Sequence, residues 1–219
     1  MLNKEQVLTT LAMLTIAGTA VADDDKRWYA TANLGLGSLG GSTLTYSDGT
    51  TTSTAEADFE ASFVGGGTLG YRFDNGWNLE GEIMYRRNEL DPINVAGLGN
   101  FTEGDFASLS FGLNALYRFQ LGDSGKLSGY VGPGIVYLQE IDIDFDADGQ
   151  QEISFESDDT ALQLKLGGRY DFNDRWFADL GVTYFIADSI TMELPSDASQ
   201  TIESDYDHWS VQLGAGFRF

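Results

Sequence analysis

Two short stretches hold the residue types that could do chemistry. The first runs Asp142-Ile143-Asp144-Phe145-Asp146-Ala147-Asp148-Gly149. Carboxylates on alternate residues, followed by a glycine, suit a hard cation such as Ca²⁺, which takes oxygen ligands. Asp144, Asp146, Asp148 and Gly149 match the first half of a twelve-residue calcium loop. The closing bidentate carboxylate belongs at position 155, which is Phe155; Glu156 comes one residue late. Asp142, Asp144, Asp146 and Asp148 are therefore the metal candidates, for a looser site than that loop. The competing reading is a strand with Ile141, Ile143 and Phe145 on one face and acids on the other. The second stretch is His208-Trp209-Ser210, which holds the only histidine. A His–Ser pair backed by a carboxylate is nucleophile chemistry. Three residues carry little information, however, and a solitary rim histidine in a solvated site explains them as well. No catalytic residue and no bound organic cofactor is assigned.

The elements that must position these residues read as strands. In His208–Phe219 the residues Trp209, Val211, Leu213, Ala215, Phe217 and Phe219 fall on one face. Ser210, Gln212, Gly214, Gly216 and Arg218 fall on the other. This is a period of two without a slip. The alternation recurs in Trp28–Leu39, Phe59–Phe73, the stretch from Trp77 past Tyr85, Ala107–Phe119, Leu127–Glu140, Leu162–Phe172 and Trp176–Ile186, with the weakest contrast in Leu127–Glu140. That makes eight strands.

A repeat supports the count. Tyr71-Arg72-Phe73, Tyr117-Arg118-Phe119, Tyr170-Asp171-Phe172 and Phe217-Arg218-Phe219 each end a strand, spaced 46, 53 and 47 residues apart. Asp74-Asn75-Gly76 and Asn173-Asp174-Arg175 follow two of them and read as tight hairpin turns. On the other side the connections Gly40–Ala57, Asp91–Gly104, Ile141–Asp158 and Thr191–Tyr206 run 14 to 18 residues. Short turns at one end and long loops at the other is the pattern of an outer-membrane barrel, with the long loops outside the cell.

Composition narrows the function classes. The net charge is −22, with only 12 Lys and Arg in 219 residues. Nucleic acid is excluded as a partner, because its phosphates need clustered cations. There is no cysteine, hence no disulfide and no thiolate metal site. Residues 1–22 read as a secretory signal peptide. Lys4 is followed by the uncharged apolar run Val7–Ala22, and Ala20-Val21-Ala22 forms an A-x-A cleavage pattern. Glu5 weakens the positive start. The run is shorter than the ~20 residues of a spanning helix. Residues 23–219 are then one barrel domain.

The facing of the stripes decides between a membrane barrel and a soluble one. On the polar face Arg72, Arg86, Arg118, Lys165, Arg169 and Arg218 are set against Glu60, Glu80, Glu82, Glu140, Asp171 and Asp179. Charges withdrawn from water need partners, and this balance is unexpected on a solvated face of so acidic a chain. The polar face is therefore expected inside, filling a narrow eight-stranded lumen, with the apolar face toward lipid.

With these residues the chain resembles the family of small bacterial outer-membrane β-barrels that includes OmpX, OmpW and the membrane domain of OmpA. The likeness covers Trp28–Phe219 and is carried by the signal Met1–Ala22, the hairpin repeat and the terminal alternation ending in Phe217 and Phe219. It implies an all-β fold, an eight-stranded antiparallel up-and-down transmembrane barrel in the bacterial cell outer membrane. It implies assembly by the barrel-assembly machinery, for which the terminal Phe is an address. It does not imply one activity. A monomer with a structural or surface-interaction role is expected, in contact with outer-membrane lipids and lipopolysaccharide. The four long loops hold 15 acidic residues and no Lys or Arg, so Ca²⁺ or Mg²⁺ shared with lipopolysaccharide phosphates is the expected ion chemistry. Two other readings remain. One is a narrow path for small apolar molecules, as in OmpW-like proteins, lined by Leu116, Phe177 and Phe185. The other is a lipid A-modifying enzyme, because His208-x-Ser210 resembles the lipid A deacylases.

Overall fold

Alternation of apolar and polar residues selects strands, and the computed structural model shows fourteen of them among the described residues. It describes residues 26–40, 42–146, 153–186 and 189–219, with the backbone alone at 140 and 146. The signal segment 1–22 lies outside the described residues. Eight strands form the barrel: β1 (Trp28–Leu39), β4 (Ser62–Arg72), β5 (Trp77–Glu89), β8 (Glu103–Leu121), β9 (Leu127–Asp146), β10 (Ile153–Asp171), β11 (Trp176–Ile186) and β14 (His208–Arg218). Each pairs antiparallel with its neighbour in the chain's barrel order, and β14 pairs back onto β1 with Leu213 opposite Leu34. Closure leaves no unpaired backbone edge, which is the condition for strands to cross hydrocarbon.

The apolar stripes face outward. Leu34, Leu36, Leu164, Leu166, Leu180 and Leu213 are exposed on the barrel wall, Leu213 at 63 %. Aromatic rings gather where the strands end. Trp28 packs edge-on against Tyr71 and Trp77 against Tyr117, while Trp176 and Phe217 meet with tilted rings. Such girdles suit the membrane interface. Gly76, with φ +88°, closes the turn from Phe73 to Trp77, whose backbone groups bond at 2.8 Å; a left-handed residue is what a tight hairpin turn requires there.

The long connections differ from the sequence-based expectation of solvated loops. They fold as additional strands: β2 (Ser42–Ser47) with β3 (Thr52–Ala57), β6 (Ile93–Val95) with β7 (Gly99–Phe101), and β12 (Ile190–Leu194) with β13 (Asp197–Ser204). β13 pairs with β2, and β12 meets β10 at Glu193 opposite Glu156. Strands β9 and β10 themselves continue beyond the barrel. These pieces form a head on the outer end with its own core, including Leu44, Tyr46, Phe101, Ile141, Ile143, Phe145, Phe155, Met192 and Ile202, all buried. The loops are acidic only on one side, so alternation gives them a buried apolar face as well.

Inward Val136 and Leu138 explain the weak contrast in Leu127–Glu140, and a β-bulge follows them. The register shifts between Leu109 and Ser110 on one flank of β9 and between Ser157 and Asp159 on the other. Below this point β9 turns Ile135 and Tyr137 outward and Val136 and Leu138 inward; beyond it Ile141, Ile143 and Phe145 point inward. The extra residue resets the parity. Beyond the bulge the opposite face carries Asp142 and Asp144.

Candidate functional site

The lumen is built of three storeys. At the turn end, Asp171 sits between two guanidinium groups. Arg118 reaches it at 3.1 Å while its Nε donates to Ser128 at 2.9 Å. Arg218 donates to the other carboxylate oxygen. Arg72 lies beside them and makes no ion pair within the described residues. Each guanidinium gives the carboxylate one charge-assisted bond, stronger than a bond between neutral groups.

The middle storey is a continuous ionic network. Arg169 donates from Nε to Asp179 at 3.0 Å and lies 3.5 Å from Glu80. Tyr29 donates to Glu80 at 2.5 Å, and Tyr130 to Asp179 at 2.6 Å. Lys165 bonds Glu82 at 2.6 Å and approaches Glu80 at 3.8 Å. Gln163 bridges Glu82 and Asn114 at 2.6 and 2.5 Å. The Arg169 guanidinium also lies 4.2 Å above the Phe177 ring, a cation–π contact. Every charged member is buried. Gly167 and Gly181 carry no Cβ where the Tyr130 hydroxyl passes, and a side chain at either would meet it. What remains is a cavity of about 20 Å³, room for a single water.

The upper storey turns apolar. Arg86, fully buried, donates to Ser110 at 2.6 Å and lies 4.3 Å above the Phe185 ring. His208 is hydrogen-bonded through Nε2 to Ser62 at 3.1 Å, with its ring nearly parallel to Tyr206. Tyr206 in turn meets Ser108 at 3.1 Å. Above them the lumen merges with the head core through Leu39, Phe106, Leu138 and Phe185.

Several expectations for this site need correction. His208 is not a solvated rim residue; it is wholly buried. Its hydrogen-bond partner is Ser62, whereas Ser210 accepts from Gln212 at 2.9 Å. His208 Nδ1 has no partner, so no carboxylate orients the ring as a nucleophile's base requires. Glu60 is exposed at the outer end of the barrel and is not a lumen charge. The Glu140 side chain lies outside the described residues. Of the charges expected inside, six cations thus face Glu80, Glu82, Asp171 and Asp179, and the two left over are Arg72 and Arg86. Leu116, Phe177 and Phe185 do face inward and are buried, as packing around the ionic network and Arg86.

Asp142 and Asp144 stand on the head's outer face, alternating with buried Ile141, Ile143 and Phe145. Asp142 lies opposite Glu156, which lies opposite Glu193; Asp144 lies opposite Asp105, which Arg87 grips with two bonds of 3.0 and 3.1 Å. Asp148 and the Asp146 side chain lie outside the described residues. Among those described, no group of three or more ligating side chains is arranged to hold a metal ion. The lumen residues that the sequence did not single out are Tyr29, Tyr130 and Tyr206. Their parity was available: Tyr29 precedes Thr31 and Asn33, and Tyr130 follows Ser128.

The sequence matches the Outer membrane protein beta-barrel domain over residues 7–219. No curated protein matches it. Among solved structures, the outer membrane protein OprG from Pseudomonas aeruginosa is similar at a TM-score of 0.65 and 21 % identity, covering 88 % of this chain and 96 % of that one. The outer membrane protein AlkL, determined in DMPC bilayers, gives 0.50 and 18 %, covering 88 % and 90 %. At these identities the two structures establish the fold. The chain belongs to the outer membrane protein β-barrel domain family, and its place is the bacterial outer membrane.

Proposed function

We propose that this protein is a sealed, non-enzymatic barrel that displays a compact acidic head at the cell surface, in a structural or surface-interaction role. One observation carries this reading: the ionic network of Glu80, Glu82, Lys165, Arg169 and Asp179 closes the lumen down to a cavity of about 20 Å³. An ion crossing such a storey would break buried pairs that cost several kcal/mol each to separate. The arrangement of His208 supports the absence of nucleophile chemistry. The narrow path for apolar molecules would have to stop above the network, at Phe185 and Arg86.

The acidic outer face fits a shared role for divalent cations between this head and lipopolysaccharide phosphates, since directly opposed carboxylates such as Glu156 and Glu193 repel one another. Planar-bilayer recording tests the main reading. The protein reconstituted alone should give no steady current. Stable, selective conductance would favour transport.

A further inference from the structure

The turn end of the barrel departs from the charge of the rest of the chain. Two adjoining cavities of about 480 and 340 Å³ open there, sharing Arg72, Arg118 and Gln120. Six Lys and Arg side chains line them against three Asp, in a chain whose net charge is −22. The pairing can be followed residue by residue. Lys26 is held by Asp174 at 3.6 Å and Arg27 by Asp74 at 3.2 Å. Arg118 and Arg218 divide the one carboxylate of Asp171. Arg72 and Lys126 are left without an acid among the described residues. Arg218, 3 % exposed, keeps a buried Nε with no acceptor.

We infer that this vestibule is a binding site for a phosphate-type oxyanion. Planar guanidinium forks match the oxygens of phosphate two at a time. Arg72 offers a fork unused among the described residues, Arg118 and Arg218 lie beside it around Asp171, and Lys126 supplies a further cation at the rim. Two carriers have this chemistry. One is the headgroup of an anionic phospholipid in the inner leaflet, which Phe73, Phe119 and Phe172, lining the same cavities, would bring to the right depth. The other is a soluble periplasmic phosphate. Asp23, Asp24 and Asp25 precede Lys26 in sequence, so their exchange serves as a control.

The test is calorimetric titration of pyrophosphate into the folded protein in an uncharged detergent, with circular dichroism confirming the barrel in each variant. Saturable binding is expected, weakening with salt and falling about tenfold in Arg72→Gln, the loss of one charge-assisted fork. Arg87→Gln, which alters the opposite end, should bind as the native chain does. Repeating the titration in nanodiscs separates the carriers. Suppression by phosphatidylglycerol but not by phosphatidylcholine assigns the lipid headgroup, and equal binding in both assigns a soluble phosphate. Absence of saturable binding at millimolar pyrophosphate overturns the site. So does equal weakening by Arg87→Gln, or binding that emerges only after Asp23, Asp24 and Asp25 are changed to Asn.

Discussion

The lower and upper halves of this molecule are held together by different physics. Below Arg86 the interior is ionic: five buried charges and two tyrosines pair with one another in a space that leaves room for a single water. Above it the interior is apolar: Phe145, Phe155, Ile141 and Ile202 pack as in a soluble protein, with acids turned to the outside. The difference follows from surroundings. Within the membrane the oily residues are drawn to lipid, leaving the polar face to fill the lumen. Outside it the same alternation buries its oily face in the usual way. The bulge at the top of β9 lies within the change from one rule to the other: the inward face is apolar from Val136 and Leu138 below it to Ile141, Ile143 and Phe145 above it.

The largest expected effect comes from breaking the lower half. Arg169→Met leaves Glu80 and Asp179 buried without their cation and should destabilise the barrel by about 3–5 kcal/mol, read from urea unfolding in lipid vesicles. The pair Lys165→Met with Glu82→Gln sharpens the point. Removing both charges should cost less than Lys165→Met alone, and equal losses would show that the contact is steric. Phe155→Ala should cost about 3 kcal/mol, at the low end for a buried aromatic because the head can collapse locally. Its signature is loss of head protection against protease with the barrel's heat-modifiable migration retained. If the barrel unfolds with it, the two halves are one cooperative unit.

Leu213→Arg, mid-strand on the outward face, should cost about 2–4 kcal/mol near the bilayer midplane, seen as impaired insertion. Normal assembly would contradict the facing. The smallest effect concerns the head's turns. The Asp48 carboxyl is held well below the ordinary carboxylate range by donors from Thr50 and Thr51, and Asp197 is lowered by Ser199 and Gln200. A lowered folded pKa stabilises above the unfolded value and is lost as pH falls through the folded one. Protection factors for the Thr50 and Thr51 amides should thus hold at neutral pH and drop below about pH 4, with no change between pH 6 and 8.

The barrel was legible in the sequence because its code is local. Period two, the Tyr-Arg-Phe repeat and the turn residues each act within a hairpin, and the strands Trp28–Leu39 and Trp176–Ile186 agree at both ends. The head was less legible. Its strands alternate over only three to eight residues, and β10 exchanges β11 for β12 as partner, a choice that no single segment encodes. Of the site, the network members Glu80, Glu82, Lys165, Arg169 and Asp179 could be read from parity, whereas who pairs with whom could not. Tyr29 and Glu80 are 51 residues apart and meet only on closure. The burial of His208 was not legible for the same reason: burial at the top of the lumen depends on the head above it.

All four tryptophans, Trp28, Trp77, Trp176 and Trp209, lie exposed on the outer wall of the barrel, so the native chain carries its own probe of which way the stripes face. Fluorescence of the protein in vesicles of brominated-acyl lipids decides the matter. Strong quenching by bromine, with little by aqueous iodide, is what the account predicts. Ready quenching by iodide with bromolipids inert would mean that the oily faces do not touch the bilayer, and the ionic interior would lose its reason to exist.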